Sequence, residues 1–381
     1  MSTYRNLLPG DPAPWFHARA STRADFALDV IGGCYIVLCF FATADARGKS
    51  AVAAAFAERD LFDDKNASFF GVSIDPADEA QKRVVGRTPG FRFFWDFDGN
   101  ISKLYGAIPR DAEPVTRNRL PLRRIWVVLD PILRVLKVIP FVQDGSDAKE
   151  LLSYVKSLPP ASRFAGFEVQ APILILPNVF EDEFCKKLIA LHETHGSEES
   201  GFMRDVDGKT IQLHDYGHKR RRDHIVQDQE AIREAQRRFN RCVVPELLKA
   251  YQFRATQMER FLVGCYSEDD GGHFVAHRDN TTKATAHRRF AASVNLNSDF
   301  EGGEVSFPEY GPKSFKPPPG GAVVFSCSLL HAVSKVTRGR RYAFLPFLYD
   351  DEAVKIREVN SAFLGEDMGD RRAIDSRESA V

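Results

Sequence analysis

At 381 residues the chain is long enough for two domains, each with its own core. Lysine plus arginine equals aspartate plus glutamate at 52 each, so nothing pulls the whole molecule toward nucleic acid or anionic lipid, and neither partner is expected. With no run of 18 apolar residues, no signal-like h-region in MSTYRNLLPGDP, and six cysteines without a CxxC pair, the reading is a cytoplasmic protein with reduced thiols.

From about residue 8 to 158 strands and helices alternate. YIVLCFFA (35–42) is a continuous apolar run, the pattern of a strand buried on both faces. GKSAVAAAFAERDLF (48–62) has helical spacing and good helix formers, and ASFFGVSID (67–75) is the next strand, followed by a helix opening at Pro76. RRIWVVLDP (123–131) and ILRVLKVIPF (132–141) read as a hairpin, and DAKELLSYVKSL (147–158) as a closing amphipathic helix. That grammar predicts an α/β domain over 1–160. SLPPASRFAGFEVQAP (157–172) is rich in proline and small residues, which sets a linker at 161–172.

After the linker the grammar changes. Helices are expected over 181–195 and 229–251. Short strands follow at 255–266, 289–297, 302–309, 321–328, 332–337 and 340–349, separated by glycine and proline turns. So many short strands predict a jelly roll over 173–355, with a charged C-terminal tail over 356–381.

Chemistry concentrates in this second half. His277 and Asp279 stand two apart in GGHFVAHRDN, a spacing that on a strand turns both side chains to one face. His331 lies in FSCSLLHAVSKVTRGRRY, and Arg341 follows ten residues later. Two imidazoles and a carboxylate are the facial set that holds Fe(II) with open positions, and a guanidinium grips a carboxylate through two parallel bonds. The strand of Arg341 is expected to run antiparallel to that of His331. The basic run HKRRRDH (218–224) reads as a solvated loop or as a patch that steers an acidic substrate. Ser293 and Asn295 either line the pocket or face solvent.

Residues 258–349 resemble the 2-oxoglutarate and Fe(II)-dependent oxygenases, in the prolyl 4-hydroxylase-like branch. CY (265–266), GGHFVAHRDN (271–280), SVNLN (293–297), DFEGGEVSFPE (299–309), KPPPGGAVVF (316–325), LLHAV (329–333) and VTRGRRYAF (336–344) carry the resemblance. It implies a double-stranded β-helix in which His277, Asp279 and His331 bind iron, Arg341 binds the distal carboxylate of 2-oxoglutarate, and Tyr266 bonds the co-substrate. It further implies O2 as co-substrate, ascorbate as reductant, and hydroxylation of an unactivated C–H bond coupled to decarboxylation to succinate. The substrate would be prolyl or otherwise derived from an amino acid, as a small molecule or within a peptide.

Residues 8–158 resemble the peroxiredoxin branch of the thioredoxin fold through PGDPAPWF (9–16), YIVLCFFATADARGKS (35–50), FFGVSID (69–75), FWDFDGNISKLYGA (94–107) and RRIWVVLDP (123–131). In that family a peroxidatic cysteine opens the helix after the first of these strands, and an arginine activates it. Here Ala46 holds that place, while Arg124 matches the arginine. The resemblance therefore implies a non-catalytic domain, with a homodimer through it as the expected assembly. A thiol peroxidase, a non-catalytic binding protein and a zinc hydrolase stand as the alternative functions, zinc accepting the same ligands.

Overall fold

The structure, a computed structural model, describes residues 3–112, 122–365 and 379–380. The chain divides into two compact units, residues 1–170 with 308–312, and residues 171–307 with 313–381. No helix among the described residues is long and apolar enough to cross a membrane.

The first unit is a thioredoxin fold. Its five-stranded sheet has the order Phe91–Trp95, Ala67–Ser73, Tyr35–Ala42, Ile125–Leu129, Val135–Pro140. The first three strands are mutually parallel; the last two form an antiparallel hairpin on the central strand. Every residue of Tyr35–Ala42 is buried, because its two faces feed two separate apolar clusters. One collects Ile36, Leu38 and Phe40 with Phe70 and Phe94, and the other Val37, Cys39 and Phe41 with Phe69 and Phe93. Helices Ala46–Ala57 and Ser146–Ser157 contact each other and contribute to the second cluster. The strand Phe91–Trp95 was absent from the sequence reading.

The second unit is a double-stranded β-helix with flanking helices. Its major sheet places Gln257–Glu259, Phe347–Tyr349, Phe290–Asn295, Arg340–Phe344, Leu262–Ser267 and Arg222–Ile225 side by side, with Ala322–Ser326 joined to Phe290–Asn295 and Ile173–Leu176 joined to Ala322–Ser326. The minor sheet has the order Lys219–Arg220, His273–His277, His331–Val333, Val305–Ser306, Ser314–Phe315. Helices Asp182–His195 and Gln229–Cys242 bury Phe184, Leu188, Ala231 and Phe239 in the same cluster as Val263, Val294 and Phe344 of the major sheet.

Three predicted elements break where the backbone demands it. The helix expected over 229–251 is two, Gln229–Cys242 and Val244–Tyr251, because Pro245 lacks the N–H an uninterrupted helix requires and starts the second. Arg260, at φ +61°, divides the segment 255–266 into two strands. Pro346 does the same to 340–349. The tail expected from residue 356 begins inside the helix Asp351–Asn360; its residues 366–378 and 381 lie outside the described ones.

Candidate metal and co-substrate site

His277 is the last residue of its strand and pairs directly with His331 on the neighbouring strand of the minor sheet. Asp279 sits in the turn just past the strand end, where its N–H donates to the Cys327 carbonyl at 2.9 Å. The two residues thus converge through a strand terminus and a turn, and the continuous strand expected through HRD ends before its carboxylate. Among the described residues these three form the one cluster with metal-ligating geometry, all candidate ligand atoms lying within 4.8 Å of one another. Nε2 of His277 is 3.6 Å and Nε2 of His331 3.4 Å from the Asp279 carboxylate oxygens.

The imidazoles are oriented by their own backbone. Nδ1 of His277 lies 2.8 Å from the Val275 carbonyl, and Nδ1 of His331 lies 3.0 Å from the Leu329 carbonyl. A carbonyl only accepts, so each Nδ1 carries the proton and each Nε2 is left with its lone pair toward the cluster. Burial, reinforced by the neighbouring His331, pushes the His277 imidazole down to about 4, which keeps it neutral and able to ligate. Burial alone would push the Asp279 carboxyl up, but His331, His277 and Arg288 hold it well below the usual carboxylate range. Phe274 stacks on His277 at 3.5 Å between ring centroids, and Phe325 packs against His331 at 4.5 Å. Two imidazoles with Nε2 turned toward one ionised carboxylate, in an aromatic wall, fit a divalent transition metal.

Arg341 belongs to the major sheet, where it pairs with Tyr266, and its strand is not the neighbour of the His331 strand. The expected antiparallel pairing fails because the turn over 334–339, ending at Gly339 with φ +74°, carries the chain from the minor sheet to the major one. The side chain is 1% exposed. Its Nε donates to Asn295 Oδ1 at 3.0 Å and one terminal nitrogen donates to Ser293 Oγ at 2.7 Å. The other terminal nitrogen, Nη1, is buried with no hydrogen-bond partner. Burial pushes the guanidinium down to about 10, with Arg221 adding to the shift. A Cβ on Gly303 would come within 3.0 Å of the Arg341 Cδ, so this glycine leaves room for the stem. Buried guanidinium nitrogens without partners are rare and costly, and a carboxylate is the group that satisfies them.

Tyr266 lies 1% exposed in a small cluster with Phe274, Val333, Val336 and Phe202, which joins the two sheets beside the metal ligands. Arg341 sits over its ring at 5.3 Å. The basic run at 218–224 is neither a loop nor solvated as a whole. Lys219 is 5% exposed, and Arg221 is held in a fork on Asp223. Alternate residues point inward because the segment forms short strands on both sheets, Lys219–Arg220 and Arg222–Ile225. Sequence reasoning missed Ser200, Arg221 and Asp223; the alternation of Lys219, Arg221 and Asp223 was the available signal.

In the first unit Asp45 caps the helix that Ala46 opens, accepting from the Gly48 N–H at 2.8 Å. Arg124 donates to both Asp45 oxygens, at 3.1 and 2.5 Å. Cys34 and Cys39 are buried, and burial pushes both thiols up, Cys34 to about 11. None of this activates a thiol.

Residues 261–349 match the family described as the 2OG-Fe(II) oxygenase superfamily, and residues 9–133 match the AhpC/TSA family. The chain is similar to a PKHD-type hydroxylase of Gluconobacter oxydans, 32% identical over 20% of this chain and 37% of that protein. It is likewise similar to the PKHD-type hydroxylase PiuC of Pseudomonas aeruginosa, 35% identical over 22% of this chain and 39% of the relative. The chain thus spans under two fifths of the length of these curated relatives. Among solved structures, a Trichoplax adhaerens prolyl hydroxylase in complex with a hypoxia inducible factor peptide aligns with TM-score 0.38 and 16% identity, over 50% of this chain and 87% of that one. A yeast mitochondrial 1-Cys peroxiredoxin aligns with TM-score 0.34 and 22% identity, over 40% and 76%. The chain thus carries a segment similar to the AhpC/TSA family and, C-terminal to it, a segment similar to the 2OG-Fe(II) oxygenase superfamily.

Proposed function

We propose that the C-terminal unit is an Fe(II)- and 2-oxoglutarate-dependent hydroxylase. The observation that carries the reading is the buried, partnerless Nη1 of Arg341 on the sheet facing a three-ligand metal cluster. His277, Asp279 and His331 would hold the metal, and Arg341 the distal carboxylate of the co-substrate. When bound, iron and 2-oxoglutarate supply oxygen activation: 2-oxoglutarate, O2 and a C–H substrate become succinate, CO2 and the hydroxylated product.

The residues of the chain do the positioning. The carbonyls of Val275 and Leu329 fix the two imidazole tautomers, so the Nε2 lone pairs converge without a prior proton transfer. Ser293 and Asn295 take up two of the Arg341 nitrogens and thereby fix the direction of the third. Phe274, Phe325 and Val333 exclude water from the space between the sheets, which strengthens every charge interaction there. The similarity to PKHD-type hydroxylases supports hydroxylation as the outcome, and a prolyl or other amino-acid-derived substrate belongs to the same proposal. So do ascorbate as reductant, a homodimer through the N-terminal unit and a cytoplasmic setting. Zinc would accept the same three ligands, but it gives Arg341 no carboxylate to hold.

The test is an anaerobic titration of metal-free protein with Fe(II) and then 2-oxoglutarate, followed by the visible charge-transfer absorption of the chelate. A saturable band in the wild type that is lost in both His331→Ala and Asp279→Ala is expected. Wild-type protein that takes up the metal yet develops no band would reject the reading.

A further inference from the structure

The hydroxyl of Tyr266 receives a hydrogen bond from a second buried arginine, contributed by the basic run 218–224. Nη1 of Arg221 lies 3.2 Å from it, and the Arg221 guanidinium sits 5.6 Å from the centre of the tyrosine ring. Arg341 sits over the same ring, so two guanidinium groups hold the tyrosine.

A guanidinium has donors only. Tyr266 Oη is therefore the acceptor in this bond, and its own hydrogen is left to donate elsewhere. Arg221 is itself held in place by a buried network that converges on Asp223. Lys219 Nζ, also donor-only, lies 2.7 Å from Ser200 Oγ, which obliges Ser200 to turn its hydrogen to Asp223 Oδ2 at 2.5 Å. Asp223, an acceptor only, takes Nε and Nη2 of Arg221 at 2.5 and 2.7 Å. That fork leaves Nη1 as the Arg221 nitrogen that reaches Tyr266. Burial alone would push the Arg221 guanidinium down, but Asp223 and Tyr266 hold it above its ordinary value, so it stays protonated and stays a donor. With Oη accepting from Arg221, the hydroxyl hydrogen of Tyr266 is free to point at a bound ligand.

We propose that Arg221, held by Asp223, is a positioning residue that makes Tyr266 an obligatory hydrogen-bond donor to a carboxylate of the bound 2-oxo acid. The inference rests on the reading of this site as a 2-oxoglutarate site. Arg221 and Asp223 then serve the co-substrate through Tyr266, by setting which way one phenol points.

The experiment is a double-mutant cycle read by the 2-oxoglutarate affinity in the anaerobic Fe(II) titration. Tyr266→Phe removes the donor. Arg221→Lys keeps the charge beside Asp223 but lacks the fork needed to reach Asp223 and Tyr266 together. Each single change is expected to weaken 2-oxoglutarate binding about tenfold while metal affinity stays at the wild-type value. The double variant is expected to be no weaker than Tyr266→Phe alone, since Arg221 acts only through the hydroxyl. A merely structural Arg221 would go on weakening binding in the Tyr266→Phe background, and that result overturns the proposal, as does an Arg221→Lys variant that binds like wild type. Should Arg221→Lys not fold, Asp223→Asn gives the same reading: it must weaken 2-oxoglutarate binding in the wild-type background and not in Tyr266→Phe. A wild-type protein that binds metal but no 2-oxoglutarate refutes the site reading and the inference with it, whereas wild-type binding with additive variants refutes the inference alone.

Discussion

Replacing Arg341 by methionine separates binding from stability, because the two depend on opposite features of the same buried group. Burial moves the guanidinium down from its ordinary value to about 10, so holding it protonated at neutral pH costs the folded protein roughly 3 kcal/mol. The sign is that of a base whose folded value is lowered: the cost is present below about pH 10 and is relieved as pH rises from there toward the ordinary guanidinium value. Arg341→Met removes that cost. It also strands Asn295 Oδ1 and Ser293 Oγ, which now accept from the guanidinium, at about 1–3 kcal/mol each. These terms nearly offset, so the urea stability of the metal-free variant is expected within about 2 kcal/mol of wild type. Binding has no such compensation. The co-substrate carboxylate loses a charge-assisted bond at Nη1 and the charge itself, together about 3–4 kcal/mol, or roughly 10²–10³-fold in Kd. The assay is the anaerobic titration with 2-oxoglutarate at saturating Fe(II), with metal affinity measured separately. A variant that folds, binds metal, and holds 2-oxoglutarate within about threefold of wild type would refute the assignment of Arg341 and the physical reasoning behind it.

Two further outcomes concern the N-terminal unit. With its thiol pushed up to about 11, Cys34 is ionised to roughly one part in a thousand at pH 8, and the fully buried Cys39 less still; iodoacetamide should label both at least ~100-fold more slowly in native than in urea-unfolded protein, and rapid native labelling at either position would reopen thiol chemistry. The Asp64 carboxyl, which burial alone would push up, is held below its ordinary value by the Arg92 fork at 2.7 Å and by Ser68, so it adds stability that is present above about pH 4 and lost as pH falls below it. Arg92→Met should therefore cost about 1 kcal/mol at pH 7 and converge with wild type near ~pH 2 in urea unfolding followed by tryptophan fluorescence, since Trp15, Trp95 and Trp126 all lie in this unit; an undiminished difference at low pH would contradict the linkage.

What was legible in the sequence followed from periodicity and ligand chemistry. Tyr35–Ala42 is a strand buried on both faces, and only an unbroken apolar run fills two clusters at once. Phe91–Trp95 escaped because Arg92 interrupts its apolar run, although that arginine spends its charge on Asp64 inside the unit. His277, Asp279 and His331 were readable as a set because the chemistry of the residue types constrains them, whatever strand carries them. The sheet to which Arg341 belongs was not readable, since six turn residues decide it and local alternation is the same in either sheet. The network from Lys219 to Tyr266 was hidden by composition: a run of charges reads as solvated, and only the partners Ser200 and Tyr266, far away in sequence, show that it is not.

The start of the helix Ala46–Ala57 follows the same logic of paired charge. A helix N-terminus and an arginine that is 17% exposed together create a place where an anion is stabilised. In the peroxiredoxin pattern a thiolate at the first helical position supplies that anion; Ala46 supplies none. Left alone, Arg124 would be a largely buried cation without a partner, which is among the costlier defects a fold can carry. Asp45 resolves it from one position earlier, capping the helix with one oxygen while Arg124 grips both. Burial alone would push its carboxyl up, but Arg124 and the Gly48 N–H hold it below the ordinary carboxylate range, so it is ionised at neutral pH. Restoring a cysteine at position 46 alone would therefore set a thiol beside an arginine already neutralised by Asp45, and the activation of the family would not return with it.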